Sequence, residues 1–141
     1  MKILIAIDGS EFSLRALRRA LELTSQFSEP PAIWLINVHD DAALHHASHF
    51  VGRKAVMDYL QEQSQVDLAA AKVLLGEAGI EAHQIIRVGH VAKEIAAAAA
   101  DGDFGLIVMG TKGRGAVADL LMGSVAQRLG ALSPVPVLLV P

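Results

Sequence analysis

The chain contains no cysteine. That excludes disulfides, thiolate metal sites and a cysteine nucleophile together, and it agrees with a reducing compartment. Aromatic residues supply only 4% of the sequence, against 52% hydrophobic residues. The core must therefore be built from Val, Ile, Leu and Ala, a palette that suits helices and parallel strands and that a disordered chain lacks. No basic block occurs, no aromatics interleave with Arg or Lys, and the net charge is −3, so the sequence carries no footprint of nucleic-acid binding. No apolar run approaches the ~18 residues of a membrane span. The opening stretch, Ile3 to Ile7, is apolar only briefly before Asp8, too short for the core of a secretory signal. These absences lead to the expectation of a cytoplasmic protein with no nucleic-acid and no membrane partner. The 141 residues suit a single domain spanning 1–141, long enough to bury a core without staples.

What is present reads as alternation. Ile3–Ile7 is a short, continuous apolar run, as expected of a strand buried on both faces. Ser10 then offers an N-cap with Glu11 in the first helical turn, and a helix follows to about Gln26. A second strand is expected over Ala32–Val38, and 39–51 has no clean period and reads as loop or helix start. A long helix is expected over Lys54–Gly76, with Val56, Leu60, Val66, Leu68, Ala71, Val73, Leu74 and Leu75 as its apolar positions and Gly79 closing it. Strands over Ala82–Val88, Leu106–Met109 and Val135–Val140 and helices over Val91–Ala100 and Ser124–Leu132 complete the series. Strict βα alternation implies parallel strands with right-handed crossovers, hence an α/β fold: a doubly wound open sheet of five parallel strands with helices on both faces. Strand order does not follow from spacing alone.

In such sheets, ligands bind beyond the carboxyl ends of the strands where strand order reverses. One loop at such an end is rich in glycine: "MGTKGRGAVADLLMGS", residues 109–124, with the spacing Gly110-x-x-Gly113-x9-Gly123-Ser124. Gly110 stands where a strand stops and leaves room for another molecule against the backbone. Gly113 and Gly115 are free to take positive φ and to turn N–H groups into a cradle. Gly123-Ser124 opens a helix, whose first N–H groups attract anions. It is not a Walker A loop, because no Gly-Lys-Ser/Thr follows. From the residues alone, anion binding and tight-turn packing both remain open.

The same spacing, with "GSVAQRL", the terminal "PVPVLLV", the opening "ILIAIDGSEFSLRALRRALEL", "NVHD" after strand two and "VGHVAKEI" after strand three, resembles the universal stress protein family, in its ATP-binding branch, over essentially the whole chain. The resemblance implies an adenine-nucleotide α-hydrolase-like sandwich, a homodimer and bound ATP, with or without Mg²⁺. It implies that Asp8 faces the nucleoside and that the Val38 backbone reads the adenine edge. Ala6, Ile7 and Met109 would form the walls beside them. Gly110, Gly113, Arg114 and Gly115 would lie along ribose and phosphates, and Gly123, Ser124 and Val125 would form the phosphate-binding helix start. The role implied is a nucleotide-responsive regulatory or protective dimer. The alternatives are a slow ATPase in the same pocket and a nucleotide-free dimeric scaffold.

Other residues have plainer readings beside functional ones. Asp8 also suits capping of the first helix. Lys112 and Arg114 suit either phosphate neutralisation or loop solubility. His39, His45, His46 and His49 cluster, with His45 and His49 spaced to share a helix face, but no third ligand is placed by the sequence, so they read as solvated and no metal site is expected. His90 reads as a helix-start residue facing water, Asp40 and Asp41 as cap or turn residues, and Leu121 and Met122 as core. Pro134 and Pro136 cannot donate ladder hydrogen bonds, so the last strand belongs at a sheet edge. Its apolar run 136–140 is then a candidate for pairing with a second copy of the chain.

Overall fold

The structure, a computed structural model, describes residues 1–41, 52–115, 119 and 121–141. Five strands, β1 (Lys2–Ala6), β2 (Ala32–Asp40), β3 (Ala82–Gly89), β4 (Leu106–Gly110) and β5 (Val137–Val140), form one sheet in the order β3-β2-β1-β4-β5. Every neighbouring pair is parallel. Four described helices, α1 (Glu11–Thr24), α2 (Arg53–Glu77), α3 (Val91–Asp101) and α4 (Ser124–Leu132), make the crossovers. The chain winds outward from β1 to β3, returns to β4 beside β1, and ends at the β5 edge. Strand order therefore reverses between β1 and β4, and their carboxyl ends part there.

The period-2 alternation of a strand explains the two layers. Ile3, Ile5 and Ile7 turn to one face, where Leu14 and Leu17 of α1 and Leu68, Ala71 and Leu75 of α2 bury them. Leu4 and Ile36 turn to the other face, against Ala92 and Ile95 of α3 and Ala126 and Leu129 of α4. Among the described residues, no helix is long and apolar enough to cross a membrane.

The start of α1 follows its sequence closely. Ser10 has extended backbone and its Oγ accepts from Ser13 N–H at 3.2 Å, satisfying one of the orphan donors of the first turn. Four expectations need correction. β2 runs on to Asp40, so His39 is strand rather than loop. β5 starts at Val137 rather than Val135: Pro136 has no N–H, although its carbonyl still accepts from Ile107 N–H at 3.0 Å. On α2, Val66 and Val73 are 67% and 59% exposed. Its buried face is Val56, Leu60, Ser64, Asp67, Leu68, Ala71 and Leu75, which follows the 3.6-residue period more faithfully than hydrophobicity does. Leu121, expected in the core, is 92% exposed because it lies in the bend before α4, outside any packed element, while Met122 packs against the α3/α4 layer.

Candidate functional site

Where β1 and β4 part, the carboxyl ends of the strands enclose a cavity of about 550 Å³. All the residues expected at a ligand site line this cavity. Ala6, Ile7 and Asp8 come from the end of β1, Val38 from β2, Met109 and Gly110 from β4, Gly113, Arg114 and Gly115 from the loop beyond, and Gly123, Ser124 and Val125 from the start of α4. One side is an apolar slot, with Ile36, Val91 and Ile95 beside Ala6, Val38 and Met109. The other side is polar, where Thr111, Lys112 and the glycine loop meet α4. Gly123 is the N-cap of α4 and no side chain caps the helix. Its own N–H is spent on Thr111 O at 2.6 Å, so the donors left to the cavity are those of the first turn, Ser124 to Ala126.

Val38 is open for a local reason. In a parallel ladder alternate residues turn both backbone groups to the same neighbour. Ile7 N–H donates to Ile36 O at 2.9 Å, so Ile36 and hence Val38 turn toward β1. Ile7 O would accept from Val38 N–H if the ladder continued, but it accepts from Asn37 Nδ2 at 2.9 Å instead. The Asn37 side chain thus ends the ladder and leaves the Val38 N–H and C=O aimed into the gap that β1 has vacated.

Asn37 belongs to a buried polar network that hydrophobic periodicity does not reveal. Asn37, Ser64 and Asp67 are 1%, 0% and 5% exposed. Asn37 Nδ2 also donates to Asp67 Oδ2 at 3.2 Å, and Asn37 Oδ1 accepts from Ser64 Oγ at 2.9 Å. Ser64 has a single proton and gives it to Asn37, so His39 Nε2, 2.6 Å from Ser64 Oγ, is the donor in that contact. His39 is therefore a half-buried network member, contrary to its reading as a solvated histidine. Burial lowers its pKa from the usual value, Asp67 pulls the other way, and Arg114 lowers it further. Among the described residues no buried side-chain nitrogen or oxygen lacks a hydrogen-bond partner. The usable signal was Ser64 and Asp67 standing in the buried register of α2, since a polar residue on an apolar face needs a partner.

The glycine loop is held by the chain's own groups. Asp8 Oδ1 accepts from Ser10 N–H at 2.9 Å and from Ser10 Oγ at 2.5 Å, and Oδ2 accepts from Arg114 N–H at 3.1 Å. Burial pushes the Asp8 carboxyl up, but these hydrogen bonds outweigh it, and the net shift is downward. Gly113 does not use positive φ, contrary to expectation, whereas Gly115 does, at 71°. Gly113 is needed for approach: a Cβ there would lie 2.5 Å from Asp8 Oδ2. The space beside Gly110 is likewise taken by the chain itself, since a Cβ would meet Phe12 and Lys112 O at 3.0 Å. Arg114 points away from α4: its guanidinium ion-pairs with Asp67 and lies over Gly9. His90 caps α3 without a side-chain hydrogen bond and does not line the cavity. His45, His46 and His49 lie outside the described residues. Among the described residues no group of three or more His, Cys, Asp or Glu is placed to hold a metal ion.

Comparison with known proteins agrees with this fold. A universal stress protein from Methanocaldococcus jannaschii, MJ0531, is 34% identical, with 99% of this chain and 81% of that protein covered. The solved structure of protein MJ0577, reported as a structure-based assignment of biochemical function, superposes with a TM-score of 0.84 at 27% identity, covering 99% of this chain and 94% of the other. Two more distant structures share the fold. One is an Arabidopsis thaliana family member with AMP bound (TM-score 0.67, 16% identity, 99% and 90% covered), the other a universal stress protein in complex with cAMP (TM-score 0.61, 22% identity, 100% and 96% covered). The model of the universal stress protein family matches residues 1–141, and with a relative 34% identical over 99% of this chain, the chain belongs to the universal stress protein family.

Proposed function

We propose that this chain binds ATP or another adenine nucleotide in the cavity between β1 and β4 and acts as a nucleotide-responsive regulatory module. One observation carries the reading: a single cavity joins an apolar slot, ending on the unpaired N–H and C=O of Val38, to the uncapped start of α4. A flat base fits between Ala6, Val38 and Met109. The backbone donor and acceptor of Val38 match the acceptor N1 and donor amino group of adenine. Phosphates then reach the N–H groups and hydroxyl of Ser124, where the helix dipole favours negative charge. Lys112, which lines the same end, adds a cation. Two structures of similar fold carry AMP and cAMP, which supports an adenine nucleotide as the ligand class.

Binding is favoured over turnover. Both Asp8 oxygens are engaged by the chain's own donors and its carboxyl is held in the ionised form, so it is a weak base for activating water. The β5 edge supports a homodimer through residues 136–140. Ile107 N–H and Thr111 N–H donate to Pro136 O and Val140 O, so by alternation Val137 and Leu139 turn their backbone groups outward, to a second chain. Sedimentation equilibrium should then read twice the 14.9 kDa chain mass, and a monomer would remove the dimer.

The nucleotide reading is tested by calorimetric titration with ATP and adenosine, using Ser124→Pro. Proline is tolerated at the first helical position while it removes that N–H and the hydroxyl. ATP affinity should fall roughly tenfold, the loss of one or two charge-assisted hydrogen bonds, with adenosine affinity unchanged. Absence of ATP binding by the unaltered protein would refute the reading.

A further inference from the structure

The Arg114–Asp67 pair joins parts of the chain that no ladder connects. Arg114 belongs to the loop after β4, and Asp67 lies in the middle of α2 on the opposite side of the β1–α1 turn. Between them runs Gly9, with φ at 84°, where a Cβ would come within 2.5 Å of the guanidinium and 3.0 Å of Asp67 Oδ1. The guanidinium therefore crosses the β1–α1 turn at a place cleared for it. Its two ends differ in burial: the Arg114 side chain is 54% exposed and that of Asp67 only 6%. Asp67 is in turn held by Asn37 Nδ2 at 3.2 Å and Gln63 Nε2 at 3.4 Å. A buried, doubly braced carboxylate is a fixed point, and a half-exposed arginine is a movable arm.

The geometry points to Asp67 as a positioning residue for the phosphate end of the cavity: it anchors Arg114, and through it holds the Gly113–Gly115 loop against Asp8 and facing α4. Arg114 is then a strap across the β1–α1 turn rather than a phosphate ligand. Asp8 takes the Arg114 backbone N–H and Asp67 takes its side chain, so the same residue is held at two points. Because Asn37 braces Asp67 and also ends the β1–β2 ladder, one buried unit sets the base end and the phosphate end together. The effect on ligand affinity rests on the nucleotide reading above. The effect on the loop does not.

Hydrogen exchange followed by mass spectrometry on the full chain without nucleotide separates the two. Asp67→Asn should speed exchange in peptides covering 110–115 by about tenfold, the signature of local opening, while β1 and β4 core peptides stay as they are. Arg114→Gln cuts the same pair from its exposed end, where folding is least at risk, and should do the same. The double variant should exchange no faster than the faster single variant, because both remove one interaction. In calorimetry, Asp67→Asn should lose about tenfold in ATP affinity and little in adenosine affinity. Loop exchange unchanged in both variants, or acceleration spread equally through the core, would overturn the proposal. So would a gain in ATP affinity on Asp67→Asn, which would mean that Asp67 competes with phosphate for Arg114. If the unaltered protein binds no ATP, the nucleotide reading falls and the exchange data alone decide the strap.

Discussion

The two sides of the cavity are built on opposite principles. Toward α3 the wall is apolar, and from there to the start of α4 the polar groups left open are chiefly backbone: the free edge of Val38 and the uncapped first turn of α4. Toward α1 and α2 the polar groups are side chains, and each already has a partner: Asp8 with Ser10 and Arg114, Asp67 with Arg114 and Asn37, Ser64 with His39. Donors on the first side are left open by the architecture, whereas those on the second are consumed in holding it. The glycine spacing alone does not separate these roles. Gly113 and Gly123 share one motif, yet Gly113 serves the internal lock on Asp8 and Gly123 starts the uncapped helix on the side whose donors stay open.

The contrast is broken most severely at Gly113. Gly113→Val puts a branched side chain where Asp8 Oδ2 sits 2.5 Å from a Cβ, so both the lock and the loop should be lost. ATP affinity by calorimetry should fall on the order of 100-fold, about 2.7 kcal/mol. Asn37→Leu attacks the internal side from within. It strips Ile7 O, Ser64 and Asp67 of a partner at once, and urea unfolding should report a loss of about 2–3 kcal/mol, the scale of buried groups left unsatisfied. Gly9→Ala should cost about 1–3 kcal/mol through positive φ alone, and it should also speed exchange in 110–115 by pushing the Arg114 guanidinium aside.

A gentler test uses pH. His39 and Asp8 both have folded-state pKa values below their ordinary ones. In each case the unfolded chain takes up a proton more readily, so stability rises with pH across the window. The His39 contribution is complete above its ordinary value of 6.5 and is lost as pH falls through the lower folded value. The Asp8 contribution follows below 3.8. Urea midpoints measured from pH 7.5 downward should decline in two stages, and His39→Gln should flatten the first. The smallest effect is expected at Leu121, where Leu121→Ser on a 92% exposed side chain should move the unfolding free energy by no more than about 0.5 kcal/mol.

The glycine loop and the turn at Asp8 were legible in the sequence because their signals are local. Gly110, Gly113, Gly123 and Ser124 lie within one loop, and Ser10 and Glu11 mark the start of α1 beside Asp8. The buried network of Asn37, Ser64 and Asp67 behind them was not legible. Asn37 reads as one polar residue in an apolar strand, and Asp67 as one charge on a long helix. Nothing in their spacing says that they meet across 30 residues. Hydrophobicity even misdirected the reading of α2, since Val66 and Val73 attract attention while Ser64 and Asp67 hold the buried register.

By itself, then, the chain's pattern of apolar runs, caps and glycines determined the alternation of strands and helices, the parallel sheet and the loop that closes the cavity, since these depend on neighbours within a turn or two. Only the tertiary structure decided the strand order that parts β1 from β4, the release of Val38 from its ladder, and the turning of Arg114 toward Asp67 instead of toward α4. Those depend on which distant side chains share a dry space, where a polar group must find a partner or destabilise the fold, and no local rule in the sequence names that partner.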